Sequence, residues 1–321
     1  MKLGLLALLG VAALIGGVAI GAVALPPGEV IAALLHPGAP DSAIVWSLRV
    51  PRALLAFAVG GTLGVSGAAL QALVRNPLAE PYLLGISGGA GLAAVVAIAM
   101  GLASAWLLPA LAFGGALVAS AAVYRLSLVG GQRLEPRTLV LAGVVVAFFC
   151  GAIMSALLTQ TDAPRLRNAF LWLLGGFGGA SWPALGAFLL YAVAPLLVLF
   201  ATASSLDLLS LGDETAHALG ARVERTKRIV YFTTALLTAA SVAVSGMIGF
   251  VGLITPHAIR GWLGSIHRRL LPAVFLASGT LLVAADALAR TVVRPAELPV
   301  GAVTALIGVP VFAWLLRRSL A

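Results

Sequence analysis

Charge is what this sequence has least of. Only 10% of its 321 residues are Asp, Glu, Lys or Arg, against roughly 25% in soluble domains, and no polar stretch is long enough to build a soluble domain. Lysine occurs only at Lys2 and Lys227. There is no Gly-x-x-x-x-Gly-Lys-[Ser/Thr] phosphate loop, so the chain cannot hydrolyse ATP by that machinery. The single cysteine, Cys150, excludes a disulfide framework and reads as a small buried side chain rather than a reactive thiol. His36, His217, His257 and His267 are scattered, without the His-Glu-x-x-His or Cys/His spacing of a metal site. No Gly-x-Ser-x-Gly is present. Acidic and histidine residues within the apolar runs are too sparse for a proton relay or an intramembrane protease pair.

What remains is a chain 61% hydrophobic, with a mean hydropathy of +1.09. Apolar runs of about 20 residues recur along its whole length, the mark of a polytopic helical membrane protein. Spanning backbone must satisfy its own polar groups, which leaves helices or a closed barrel. The ~10-residue apolar/polar alternation of barrel strands is absent. The sequence therefore predicts an all-α, polytopic membrane protein, a single transmembrane domain over residues 1–321. About ten spans are expected, at 3–25, 53–72, 84–102, 105–127, 138–159, 183–202, 228–246, 249–263, 271–289 and 300–316, the eighth short and broken by Pro256. The run from Leu3 to Leu25 exceeds the 7–15 residues of a signal-peptide core and reads as a first membrane helix. Glycine, at 37 residues, supplies close helix packing.

Basic residues set the orientation. With the N-terminus inside and ten spans, both termini are cytoplasmic. The cytoplasmic segments then hold Lys2, Arg75, Arg125, Arg133, Arg137, Arg222, Arg225, Lys227, Arg228, Arg260, Arg268, Arg269, Arg317 and Arg318. The outer loops hold Arg49, Arg52, Arg165, Arg167, Arg290 and Arg294. This asymmetry follows the positive-inside bias, so the formal charge of +9 speaks of topology and not of nucleic acid. Membrane lipid is the expected surround.

Two features exceed what a span needs. The outer arginines come in three close pairs. Arg290 follows Asp286 by four residues and can pair with it on a helix. For Arg49 and Arg52, with only Asp41 nearby in sequence, the favoured reading is a basic rim that docks an acidic partner. On the inner side, the longest non-membrane segment runs from Ser204 to Lys227. Within it, Gly212 breaks the chain, Asp213 is placed as an N-cap, and Gly220 as a C′ residue. Two short helices are expected, about one and two turns long, forming a docking knob for a cytosolic protein.

Several segments then resemble a known family. They are Arg49-Val-Pro-Arg52, Ser66 through Ser87 with its Arg75-Asn-Pro-Leu-Ala-Glu-Pro core, Trp172-Leu-Leu-Gly-Gly-Phe177, Leu211 through Gly220, Gly246 through His257, Glu297-Leu-Pro-Val-Gly301 and Gly308-Val-Pro-Val-Phe312. In order and spacing they resemble the permease subunit of type II ABC importers for vitamin B12, haem and ferric siderophores. The resemblance implies ten spans per subunit, a homodimer in the bacterial inner membrane, two cytosolic ATP-binding subunits and a periplasmic substrate-binding protein. ATP and magnesium belong to the ATP-binding partners, with no cofactor in this chain. By the same resemblance, Arg49, Arg52 and Arg290 match positions that meet acidic residues of the binding protein, and Arg294 lies beside them. Asn76 and Leu78 match a cytoplasmic gate. The segment 204–221, through Leu206, Leu211, Gly212, Asp213, Glu214, His217, Leu219 and Gly220, matches helices that couple to the ATPase. The implied activity is import of a bulky metal chelate by alternating access. The alternative is a self-sufficient secondary transporter, although no internal repeat supports it.

Overall fold

The computed structural model describes residues 1–36, 38, 41–131 and 133–320. Fourteen α-helices form among the described residues. In chain order they are α1 (Lys2–Ala19), α2 (Pro27–Leu35), α3 (Val50–Val74), α4 (Ile86–Ala99), α5 (Leu107–Leu126), α6 (Pro136–Leu158), α7 (Ala163–Leu174), α8 (Trp182–Ala201), α9 (Ala203–Ser210), α10 (Asp213–Ala218), α11 (Val223–Ser245), α12 (Val251–Leu263), α13 (His267–Ala289) and α14 (Val300–Leu320). A π-helical turn, Ile44–Arg49, leads into α3, and a 3-10 turn, Pro81–Leu84, leads towards α4. Among the described residues, strand occurs in a hairpin of two-residue strands, β1 (Leu128–Val129) against β2 (Arg133–Leu134), antiparallel between α5 and α6.

Each of the ten expected spans coincides with a helix. Seven helices among the described residues are long and apolar enough to cross a membrane, α3 being counted with its π-turn as Ile44–Val74. Two more, α4 and α14 (over Val300–Trp314), are shorter apolar helices, and α12 has 13 residues.

Two further helices lie between the expected spans. Pro27 opens α2, because proline is well suited to the first helical turn, where its missing N–H has no partner to lose. Residues 163–174, expected as outer loop, form α7, whose N-cap Asp162 accepts the Arg165 N–H at 3.0 Å.

Helix α3 is the axis of the bundle. Every residue from Val59 to Leu73 is buried, so no side of that stretch faces lipid. Small residues make this possible, since they let membrane helices approach to backbone contact. A Cβ placed on Gly64 would come 1.9 Å from Ser278 Oγ of α13, and one on Gly67 would come 1.9 Å from the Gly252 carbonyl oxygen of α12. Polar groups between these helices pair with each other. Thr62 and Ser241 of α11 join through their hydroxyls at 3.1 Å, and Thr255 of α12 meets Ser278 at 2.5 Å. Helix α6 is the opposite case. Leu141, Val145, Phe148 and Phe149 are exposed on it, as suits a helix on the lipid side.

Contacts divide the molecule into two ends. At one, Arg49 reaches α1's C-terminus, and Trp182 Nε1 donates to Trp46 O at 2.7 Å while the two indoles stack. At the other, Lys2 Nζ donates to Trp262 O at 2.8 Å, His267 meets Asp207 of α9, and Leu134 meets Glu224.

Candidate functional site

At the first end, four charged side chains form one knot, three of them buried or half-buried. Asp286, 1% exposed, is held by two arginines. Arg52 Nη2 lies 2.8 Å from its Oδ1, and Arg290 Nε lies 3.0 Å from its Oδ2. Arg52 continues to Glu297 at 2.9 Å, which pins the segment before α14 to α3. Arg290 Nη1 and Nη2 donate to the carbonyls of Ile20 and Gly17 at 2.7 and 3.0 Å. Arg49 donates to Val18, Ala19 and Val23 at 3.1, 2.9 and 2.7 Å. The last carbonyls of a helix have no partners within it, so two arginines from other helices close the end of α1. Burial pulls the pKa of Arg290 below its ordinary value, and Asp286 opposes that shift. A guanidinium stays charged regardless.

Three of the four outer arginines expected to dock a partner are engaged within the chain. Arg49 and Arg290 are 4% and 3% exposed, and their guanidiniums are bonded within the chain. The local pair allowed by the four-residue spacing of Asp286 and Arg290 is what forms. Arg52 is spent mainly on Asp286 and Glu297. Of the four arginines, Arg294 is the one fully on the surface. Arg52 and Glu297 stand at the mouth of an open cavity of about 480 Å³, whose wall includes Trp172, Gly175 to Gly179 and Gly246. Gly175 takes φ +71° and lies against Met247 O, where a Cβ would sit 2.6 Å away.

At the opposite end, α9 and α10 stand together. Leu206 and Leu209 are buried and root α9 in the bundle. Leu206 is therefore an anchor and not part of a contact surface. Leu211 and Leu219 are each 59% exposed, and Glu214, His217 and Gly220 are exposed around them. Two apolar side chains held in solvent on a short, ordered element are the kind of surface a partner covers. Gly212 (φ 101°) is the N-cap of α10, and Asp213 is its first helical residue rather than the cap expected of it. Its carboxylate is committed elsewhere, at 2.5 Å from Lys227 Nζ. Gly220 (φ 83°) does take the left-handed conformation expected after Leu219.

Lys227 is 1% exposed. It donates to Leu134 O at 3.0 Å and reaches Glu224 at 3.4 Å, while Glu224 accepts the Leu134 N–H at 3.0 Å. One ammonium thus ties α10, α11 and the β-hairpin together. Sequence reading counted Lys227 only as a positive charge; its proximity to Asp213 and Glu224 was the available signal.

The expected gate residues lie beside α9. Asn76 Oδ1 accepts the Leu78 N–H at 2.9 Å, which shapes the turn after α3, where Arg75 is left-handed (φ 55°). Asn76 and Pro77 share an open cavity of about 630 Å³ with Arg75, Asp207, Leu211 and Arg260. The structure therefore brings the loop after α3 and the α9–α10 segment to one pocket. Leu78 is half-buried and does not line it.

Comparisons with known proteins agree with this arrangement. The model of the FecCD transport family matches residues 6–318. The hemin transport system permease protein HmuU of Yersinia pestis is 43% identical over 86% of this chain and 84% of its own length. The cobalamin import system permease protein BtuC of Halobacterium salinarum is 43% identical over 89% of this chain and 77% of its own. A solved structure of an inward-facing metal-chelate type ABC transporter superposes with a TM-score of 0.86 at 30% identity, covering 99% of this chain and 98% of that one. The family match over residues 6–318, with relatives 43% identical over most of the chain, makes this protein a member of the FecCD transport family, the permeases of type II ABC importers.

Proposed function

We propose that two copies of this chain form the membrane pathway of an ATP-driven importer that carries a bulky iron chelate, haem or a ferric siderophore, from periplasm to cytoplasm. Cobalamin is the second candidate cargo. The observation that carries this reading is the 43% identity, over 86% and 89% of this chain, to permeases named for haem and for cobalamin. The chain has no phosphate loop, so ATP hydrolysis belongs to two cytosolic partners. They seat on Leu211, Leu219 and the exposed face of α10. Asn76 and Leu78 act as the cytoplasmic gate. Arg294, with the accessible edge of Arg52, offers positive charge to an acidic binding protein on the other side. A pathway of small apolar side chains and few charges suits a large, rigid cargo that must not be held tightly. The family assignment leaves a self-sufficient secondary transporter without support.

The test is reconstitution. The chain is extracted gently from its native membrane, and what co-purifies is identified with its ratio. An equimolar ATP-binding subunit is expected, with ATP hydrolysis stimulated by a haem- or siderophore-loaded binding protein. A chain that emerges alone even after crosslinking would refute the proposal. Stimulation by the cobalamin-loaded protein only would move the cargo to cobalamin.

A further inference from the structure

Helix α11 stops at Ser245 and α12 begins at Val251. Between them the chain passes through Gly246 (φ 65°) and Phe250 (φ 69°), the latter a non-glycine residue in the left-handed region. A break inside a packed membrane bundle strips backbone groups of their helical partners, and lipid offers none. Pro256 adds to the deficit, because it has no N–H for the Gly252 carbonyl four residues earlier.

One short stretch of chain, residues 71–82, supplies the missing partners. The Tyr82 hydroxyl donates to Ile248 O at 2.9 Å and accepts the Ile248 N–H at 2.8 Å. Glu80 Oε1 accepts the Phe250 N–H. Gln71 Nε2 donates to Gly252 O at 3.4 Å and to Ala79 O at 3.3 Å. Gln71 Oε1 in turn accepts both Nη1 and Nη2 of Arg260, at 3.1 Å each. Helix α12 is therefore gripped at its first turn by Glu80 and near its end by Gln71. These two residues flank the loop that holds Asn76 and Leu78.

The other end of α12 leads to the docking segment. Four residues after its last, Leu263, His267 opens α13. Its backbone N–H donates to Asp207 Oδ1 of α9 at 2.9 Å, and its Nδ1 lies 2.6 Å from the same oxygen.

We infer that Gln71, Glu80 and Tyr82 are positioning residues that fasten the inner-mouth loop to α12, so that loop, half-helix and docking segment move as one body. A displacement of α9 is passed through His267 to the α12–α13 junction, along α12, and through Glu80 and Gln71 to the loop. This inference rests on the proposed reading of the loop as a gate and of α9–α10 as the ATPase seat.

The experiment uses the assembled permease–ATPase complex in lipid vesicles, carrying Pro77→Cys in a Cys150→Ala background. The measurement is the rate of thiol modification with and without magnesium-ATP. In this parent, nucleotide changes the rate by about fivefold or more, the lower edge of ordinary site-to-site coupling. Glu80→Gln keeps that response, since its amide oxygen still accepts the Phe250 N–H. Glu80→Leu shrinks it below about twofold while the ATPase still co-purifies. Tyr82→Phe, the loss of one oxygen atom, serves as a milder variant if Glu80→Leu does not fold, and it too lowers the response. Glu80→Leu or, in its place, Tyr82→Phe responding as fully as the parent overturns the inference. A parent that does not respond at all shows instead that the ATP-driven reading has failed, and the inference falls with it.

Discussion

The two ends of this molecule use the same residue types in opposite ways. At the end holding Asp286, charge is turned inward: the carboxylate is 1% exposed and both of its arginines are bonded within the chain. At the end holding α9 and α10, one buried ammonium, Lys227, serves two carboxylates whose side chains are 38% and 35% exposed. Leu211 and Leu219 stand in solvent there, as Leu48 and Val292 do at the first end. At the first end Asp286 and its two arginines are joined within a single chain. The second has its polar groups satisfied from within and its apolar groups left for something else to cover. Charge near a membrane surface can thus be engaged within the chain, and the proposed seat rests instead on exposed apolar side chains of a short, ordered element.

The sharpest way to break this comparison is at Asp286. Asp286→Leu leaves Arg52 and Arg290 buried without their shared carboxylate. Removing one partner of a buried pair costs about 3–5 kcal/mol, and the loss is expected as a large fall in thermal midpoint and yield in detergent. Combining it with Arg52→Leu and Arg290→Met is expected to recover part of that loss, because no unpaired charge then stays buried. An Asp286→Leu protein as stable as the parent would mean that the knot is not a fastening, and its arginines would again be candidates for a partner.

Lys227→Met tests the second end at intermediate cost. The Leu134 carbonyl loses a charged donor, but Asp213 and Glu224 are exposed enough to be hydrated. A loss of about 1–3 kcal/mol is expected for the bond to the carbonyl, well short of Asp286→Leu. Its larger consequence is for α10, which loses its tie to α11. ATP hydrolysed per cargo moved is expected to rise at least severalfold in the reconstituted importer. A stability loss equal to that of Asp286→Leu, with transport coupling unchanged, would make Lys227 another structural knot and erase the contrast.

Much of this contrast was legible in the sequence, and the reason for the rest is physical. Helix positions follow from apolar run length, which is why every expected span falls on a helix. The break at Gly212 and the left-handed Gly220 follow from local backbone chemistry. Helix α7 was legible too, since Asp162 followed by Pro164 is a helix-start signal, but a polar loop was the simpler reading of its two arginines. Partners distant in sequence were not legible. Arg52 and Asp286 are 234 residues apart, and Glu80 and Phe250 are 170 apart. A single sequence carries no record of such pairs, so the bonds from Arg49 and Arg290 to the carbonyls of α1 were not legible. Gln71 and Tyr82 gave no signal of their own, because the backbone groups they serve become orphans only once α11 and α12 break.

The smallest effect on stability bears most directly on function. Leu211 and Leu219 are each 59% exposed, so Leu211→Ser with Leu219→Ser removes little buried area from the chain itself. Surface substitutions of this kind usually stay within about 0.5 kcal/mol, and thermal unfolding of the isolated permease is expected to be unchanged. Co-purification of the ATP-binding subunit is expected to fall sharply, since those side chains are the apolar part of the seat. Asp286→Leu measured alongside gives the mirror image: a weakened chain whose folded fraction still binds the ATPase. If the serine pair destabilises the isolated permease as Asp286→Leu does, the two leucines pack within the chain and the seat must be sought elsewhere. If it leaves both stability and ATPase recovery intact, the exposed leucines serve neither purpose, and the reading of α9–α10 as a docking element loses its support.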